Sequence, residues 1–169
     1  MKHTLIIAIH GKGSTAESSN TVQTLKKYFA DAADVITPTY SDKDSYETTK
    51  KYFDDLAKKN YDKYDSVAVI GASLGGFWAK YLANRISHSK YVGLNPSLDF
   101  YKTGIEKDKP DLPITIYVAK DDDVVNPQVA IKHYKSRGDV KTLDKGGHRL
   151  VDVLPSLLPK IRVDVMRIH

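Results

Sequence analysis

Val67-Ala68-Val69-Ile70-Gly71-Ala72-Ser73-Leu74-Gly75-Gly76 is the stretch that decides the fold. Four apolar residues run straight into Gly-x-Ser-x-Gly, and an amphipathic segment follows at once, with Phe77, Trp78, Tyr81 and Leu82 at helical spacing. An unbroken apolar run, rather than an alternating one, is what a parallel strand covered on both faces requires. A strand that turns sharply into a helix forces the turn residue into a strained backbone conformation. Small neighbours two residues before and two after permit the close approach. The pattern predicts a Ser73 hydroxyl pushed clear of the sheet, at a helix N-terminus that favours developing negative charge. The plainer reading is a tight turn with a buried, backbone-bonded serine.

The same alternation extends outward in both directions. Leu5–Ile9, Asp34–Pro38, Ser66–Gly71, Tyr91–Leu94, Ile114–Ala119 and Val140–Leu143 read as strands. Asn20–Asp31, Ser45–Lys59, Leu74–Arg85, Pro127–Ser136 and Arg149–Leu158 read as helices. Pro155 is expected to kink or split the last of these. Strand and helix taking turns in this way specify an α/β layered domain with a mostly parallel sheet. The expectation is one domain over residues 1–169, with Asn95–Pro113 its longest irregular segment.

Composition excludes several classes. No cysteine is present, so disulfides, thiolate zinc sites and a cysteine nucleophile are absent. No apolar run is long enough to span a bilayer, and the one at Leu5–Ile9 is shorter than the core of a secretory leader. A cytoplasmic location is expected, with no membrane partner. Lys+Arg total 26 against 21 Asp+Glu, a net +5. The basic pairs Lys26-Lys27, Lys50-Lys51 and Lys58-Lys59 are spread out and diluted by Asp54, Asp55 and Asp62. They read as solvated helix faces, and no nucleic-acid partner is expected.

A nucleophilic serine needs a base, and the base needs an orienting acid. With the serine on such a turn, chain order runs Ser, then Asp or Glu, then His. The strand Ile114–Ala119 leads into Asp121-Asp122-Asp123-Val124-Val125-Asn126-Pro127. Asp122 is the best candidate acid and Asp121 the alternative. An Asx turn or a helix cap accounts equally for any of the three. Asp144-Lys145-Gly146-Gly147-His148 follows the last strand, and its glycines let the imidazole of His148 swing over Ser73. His133 reads as mid-helix, and the sequence offers no catalytic pairing for His3, His88 or His169. His10-Gly11-Lys12-Gly13-Ser14 closes the first strand. By position, the amides of Lys12 and Leu74 form an oxyanion hole. The glycines fit neither phosphate-loop nor dinucleotide spacing.

His10-Gly11, Gly71–Gly76, Asp121–Asn126 and Gly147-His148, together with Asn95-Pro96, resemble the small α/β-hydrolase serine esterases of the YqiA-like group. They are similar also to the retinoblastoma-binding-protein-type serine hydrolases. The resemblance implies a compact three-layer α/β/α fold with about six strands, without two N-terminal antiparallel strands and without a large lid domain. It implies Ser73 as nucleophile, Asp122 as acid and His148 as base, acting on small acyl esters with no metal or cofactor. Gly11 and Asn95 are expected on the substrate, and the protein is expected to be a monomer or weak homo-oligomer. A protein of the same fold that has lost catalysis and only binds is the alternative.

Overall fold

The computed structural model describes residues 3–166; His169 lies outside them. One sheet of six strands runs through the centre: β1 (Thr4–Ile9), β2 (Asp34–Ile36), β3 (Ser66–Ala72), β4 (Ser89–Leu94), β5 (Ile114–Ala119) and β6 (Asp139–Leu143). Their order is β2-β1-β3-β4-β5-β6, and every pairing is parallel. The chain moves outward from β1 to β2, crosses back to β3, and then proceeds steadily to β6. That reversal beside β1 opens a crevice at the carboxyl ends of β1 and β3, where open α/β sheets hold their ligands.

Five helices cover both faces: α1 (Asn20–Phe29), α2 (Tyr46–Ala57), α3 (Leu74–Ala83), α4 (Pro127–His133) and α5 (Leu154–Met166). Successive β1 side chains point to opposite faces, as the strand pleat dictates. Leu5, Ile7 and Ile9 meet Phe53 of α2 and Trp78 and Leu82 of α3, and Ala130 of α4 joins them. Ile6 and Ala8 meet Leu25 and Phe29 of α1 and Leu157 and Ile161 of α5. Both cores are therefore apolar, and β1 and β4 are buried along their whole length. Ser19, Ser45 and Asn126 cap α1, α2 and α4 by accepting from the amides of Val22, Thr48 and Gln128.

Several boundaries differ from those expected, those of β2, β4 and α5 among them. β2 stops at Ile36 rather than Pro38. It is an edge strand, and Pro38 has no N–H to add to a ladder. β4 begins earlier, at Ser89. α5 begins at Leu154 rather than Arg149 and runs to Met166. Pro155 is its second residue, where the missing amide costs nothing, so it starts the helix instead of splitting it. Pro159 sits within α5, held there by the buried Leu157, Leu158, Ile161 and Val165 around it.

Residues 95–113 contain no helix or strand, and their far end is fastened to α3. Lys80 Nζ lies 2.6 Å from Asp108 Oδ1, with the two side chains only 3% and 4% exposed. Lys80 also donates to the Glu106 carbonyl. Asn84 donates to Asp108, and Arg85 grips Glu106 through two bonds of 2.8 and 3.0 Å.

Candidate active site

Ser73 is the hinge between β3 and α3, and its backbone adopts φ 56°, ψ −124°. Such a conformation costs a non-glycine residue about 1–3 kcal/mol and persists only when its surroundings over-determine it. They do so here. The Ser73 amide donates to Leu94 O at 3.0 Å, and its carbonyl accepts from Gly76 and Ser97, each at 2.9 Å. The glycines leave room for the turn. A Cβ on Gly71 would run into the Gly75 carbonyl, and one on Gly75 would run into the carbonyl oxygens of Ile9 and His10. The start of α3 thus sits directly against the end of β1.

Asp122 follows β5, and its Oδ1 accepts from the amides of Val124 and Val125 at 2.9 and 3.0 Å. Both its oxygens face the His148 ring, 3.1 and 3.0 Å from Nδ1. The opposite ring nitrogen, Nε2, lies 2.9 Å from Ser73 Oγ. The Asp122 side chain is 1% exposed and that of His148 is 17% exposed, so the relay is shielded at its acid end and open at its serine end. With Asp122 accepting, Nδ1 carries the proton and the Nε2 lone pair faces the serine hydroxyl. That tautomer can take a proton from Ser73.

The structure separates the two neighbouring aspartates. Asp122 meets the imidazole, whereas Asp121 accepts from the Gly147 amide at 2.8 Å and from the Gly146 amide at 3.4 Å. Asn95, expected on the substrate, is buried, and its side-chain amide is bonded within the protein. Nδ2 donates to the carbonyls of Gly147 and His148, both at 2.9 Å, and Oδ1 accepts from Ala119 N at 2.8 Å. It holds the loop that carries His148.

Gly11 lies beside the serine, where a Cβ would stand 3.5 Å from Ser73 Cβ. The amides expected for an oxyanion belong to the next residues along, Lys12 after Gly11 and Leu74 after Ser73. Leu74 opens α3, and the first amides of a helix have no partner within it. The β1 loop is braced by groups that no sequence motif marks. His10 stacks on Tyr40 at 4.3 Å, accepts from the Tyr40 amide through Nε2 at 3.2 Å, and meets Gly11 O through Nδ1 at 2.8 Å. Burial drives the Tyr40 phenol well above its ordinary value, and its hydroxyl donates to His10 O. The Gly13 amide donates to the Asp42 carboxylate. Ser97 is a further addition, its Oγ 3.5 Å from Ser73 Oγ. The Asn95-Pro96 match stops one residue short of it.

Lys12 Nζ lies over the Phe100 ring, 5.4 Å from its centroid, and so joins the loops that follow β1 and β4. Behind Phe100, Tyr101 packs on Tyr46, Phe77 and Trp78 at 4.9, 5.0 and 5.5 Å. Two surface hollows, about 280 and 310 Å³, lie at the other end of the sheet, near the starts of β4, β5 and β6. Among the described residues no cluster of His, Asp or Glu could hold a metal ion, and no helix is long and apolar enough to cross a membrane.

A six-stranded parallel sheet covered on both faces, with a strained serine between β3 and α3, defines the α/β-hydrolase fold. Solved structures agree. A protein assigned to the alpha/beta hydrolase superfamily from Xanthomonas campestris superposes with a TM-score of 0.74 at 18% identity, covering 98% of this chain and 96% of that one. An esterase from Pyrococcus furiosus gives 0.73 at 16% identity, covering 96% and 81%. A lipase-esterase related protein from Clostridium acetobutylicum gives 0.72 at 17% identity, covering 97% and 95%. No curated protein matches the chain. Residues 5–111 match the uncharacterised protein family UPF0227, and the chain belongs to that family. The matched span includes Ser73 and Asn95 and ends before Asp122 and His148.

Proposed function

We propose that the protein is a serine esterase that cleaves small acyl esters through an acyl-enzyme. The observation that carries this reading is the 2.9 Å approach of His148 Nε2 to Ser73 Oγ, with Asp122 behind the ring at 3.0 Å. His148 removes the hydroxyl proton as Ser73 attacks the acyl carbon. The Asp122 carboxylate holds the ring in the required tautomer and stabilises the imidazolium that forms. The amides of Leu74 and Lys12 receive the oxyanion, each contributing about 3 kcal/mol in the transition state. His148 then gives its proton to the departing alkoxide, which leaves as the alcohol. It next takes a proton from the water that attacks the acyl-enzyme. Collapse of that second intermediate releases the acid and returns the proton to Ser73.

Small acyl groups are favoured by the short segment 95–113 and by the Lys12–Phe100 contact, which narrows the approach between the loops after β1 and β4. The test pairs a fluorophosphonate probe with p-nitrophenyl esters of increasing chain length. The expected result is stoichiometric labelling and turnover of short esters, both lost in Ser73→Ala. Labelling that survives Ser73→Ala, or a wild-type protein that neither labels nor turns over ester, refutes the reading.

A further inference from the structure

We propose that Asn95 and Asp121 are positioning residues that clamp the His148 loop from its two polar edges and thereby fix the imidazole over Ser73. The inference rests on the serine-esterase reading above. The loop has little stiffness of its own. Gly146 and Gly147 take φ values of 153° and 65°, and glycine retains more freedom in the unconstrained state than any other residue. A general base nevertheless has to be held within about 0.5 Å of its productive place. The β5–β6 ladder ends at Ala119 and Leu143, with the Lys120 amide bonded to Leu143 O. Beyond Leu143 the sheet no longer restrains the chain.

The two side chains take over at that point with opposite chemistry. Asn95 Nδ2 supplies donors to the carbonyls of Gly147 and His148. Asp121 supplies acceptors to the amides of Gly147 and Gly146. One residue comes from the end of β4 and the other from the end of β5, so both carry the rigidity of central strands to a loop at the sheet margin.

Position 95 requires asparagine in particular. Its φ is 44°, a region asparagine tolerates better than other branched or bulky residues. Its Oδ1 accepts from Ala119 N while its Nδ2 donates twice, and its own amide donates to Tyr117 O at 2.8 Å. The substitution Asn95→Asp would turn a carboxylate oxygen toward two carbonyl oxygens. Asp121 and Asp122 are adjacent in sequence and divide the work: Asp121 holds the backbone of the loop and Asp122 holds the ring.

The experiment compares Asn95→Asp, Asp121→Ala and Asp121→Asn with wild type in steady-state ester hydrolysis. It also follows the low-field Nδ1 proton resonance of His148. Asp121 is exposed and outside the ladder, so its variants fold. Asn95→Asp and Asp121→Ala are expected to lower kcat by about 10- to 100-fold, the cost of a misplaced catalytic group, with KM little changed. The resonance is expected to broaden through solvent exchange in both. Asp121→Asn keeps an acceptor oxygen and should restore most of the kcat and the resonance. If wild type turns over ester and both Asn95→Asp and Asp121→Ala keep its kcat and its sharp resonance, the clamp is overturned and the triad stands. If Asp121→Asn is as impaired as Asp121→Ala, a charge effect replaces the positioning role. A wild-type protein that neither labels nor hydrolyses overturns the triad and the clamp together.

Discussion

Replacing Asp122 by asparagine changes one atom's chemistry and leaves the outline of the site intact, so it isolates the carboxylate's role. The structure dictates how the new amide must lie. Oδ1 accepts from two backbone amides, at 2.9 Å from Val124 and 3.0 Å from Val125. The asparagine oxygen has to keep that position, because an NH2 group there would oppose two donors. The NH2 group then takes the place of Oδ2, 3.0 Å from His148 Nδ1. The retained oxygen, 3.1 Å from Nδ1, is already engaged by two amides, so the closer NH2 donor drives the imidazole to present a lone pair there and to carry its proton on Nε2. That proton points at Ser73 Oγ, 2.9 Å away, and the ring can no longer accept from the serine. The expected loss in kcat is about 10,000-fold, the scale on which a wrong histidine tautomer disables such a triad. At about 1.36 kcal/mol per decade this is about 5 kcal/mol of transition-state stabilisation. The two valine amides stay bonded, so Tm should move by no more than about 2–4 °C, the shift of roughly 1 kcal/mol in a chain of this size. The assay is p-nitrophenyl acetate hydrolysis with Ser73→Ala as background, alongside thermal unfolding. An Asp122→Asn protein with wild-type Tm and a kcat within about tenfold of wild type, or about 1.4 kcal/mol, refutes the tautomer argument.

Two further outcomes concern stability. Lys80→Met leaves the Asp108 carboxylate buried without its cation and should lower the unfolding free energy by about 3–5 kcal/mol in urea titration. Adding Asp108→Asn should recover part of that loss, and a single variant as stable as wild type contradicts the buried pairing. At alkaline pH the relevant groups are tyrosines. The hydrogen bond from Tyr64 to Asp34 pushes its phenol up to about 12, and burial, aided by a bond to Asp54, pushes Tyr81 up to about 12. A folded-state value above the ordinary 10.0 means stability that is fully present below pH 10 and is lost as pH climbs toward 12. The urea midpoint should stay level up to pH 10 and fall above it, less steeply in Tyr64→Phe; a fall completed below pH 10 contradicts the assignment.

What can be read from the sequence is mostly local. The strand, the two glycines around Ser73 and the amphipathic run after it lie within one continuous stretch, and each enforces the same turn. Asp122 is favoured over Asp121 only by a local pattern, because the difference between them lies in distant partners: Asp122 meets the His148 ring and Asp121 meets the amides of Gly146 and Gly147. The role of Asn95 escapes the sequence for the same reason. Its partners are Ala119, Gly147 and His148, far along the chain, and no periodicity announces them. The Lys80–Asp108 pair, sealed beneath the segment 95–113, leaves no trace in charge patterning. Pro155 and Pro159 show the limit of punctuation rules. The first fits a helix start, and the second is overruled by the apolar contacts of Leu157, Leu158, Ile161 and Val165.

The strand order has a kinetic corollary. Every ladder in the sheet joins strands that need a long crossover, so native pairing waits on many distant loop closures and is intrinsically slow. Gly11, Ser73, Asn95, Asp122 and His148 each hang from a different strand end, so half a sheet cannot hold the complete proton-transfer relay. Hydrolytic competence should therefore emerge last during refolding, after collapse and after most helical signal has returned. A time course of ester turnover would then serve as a stringent clock for completion of the native state.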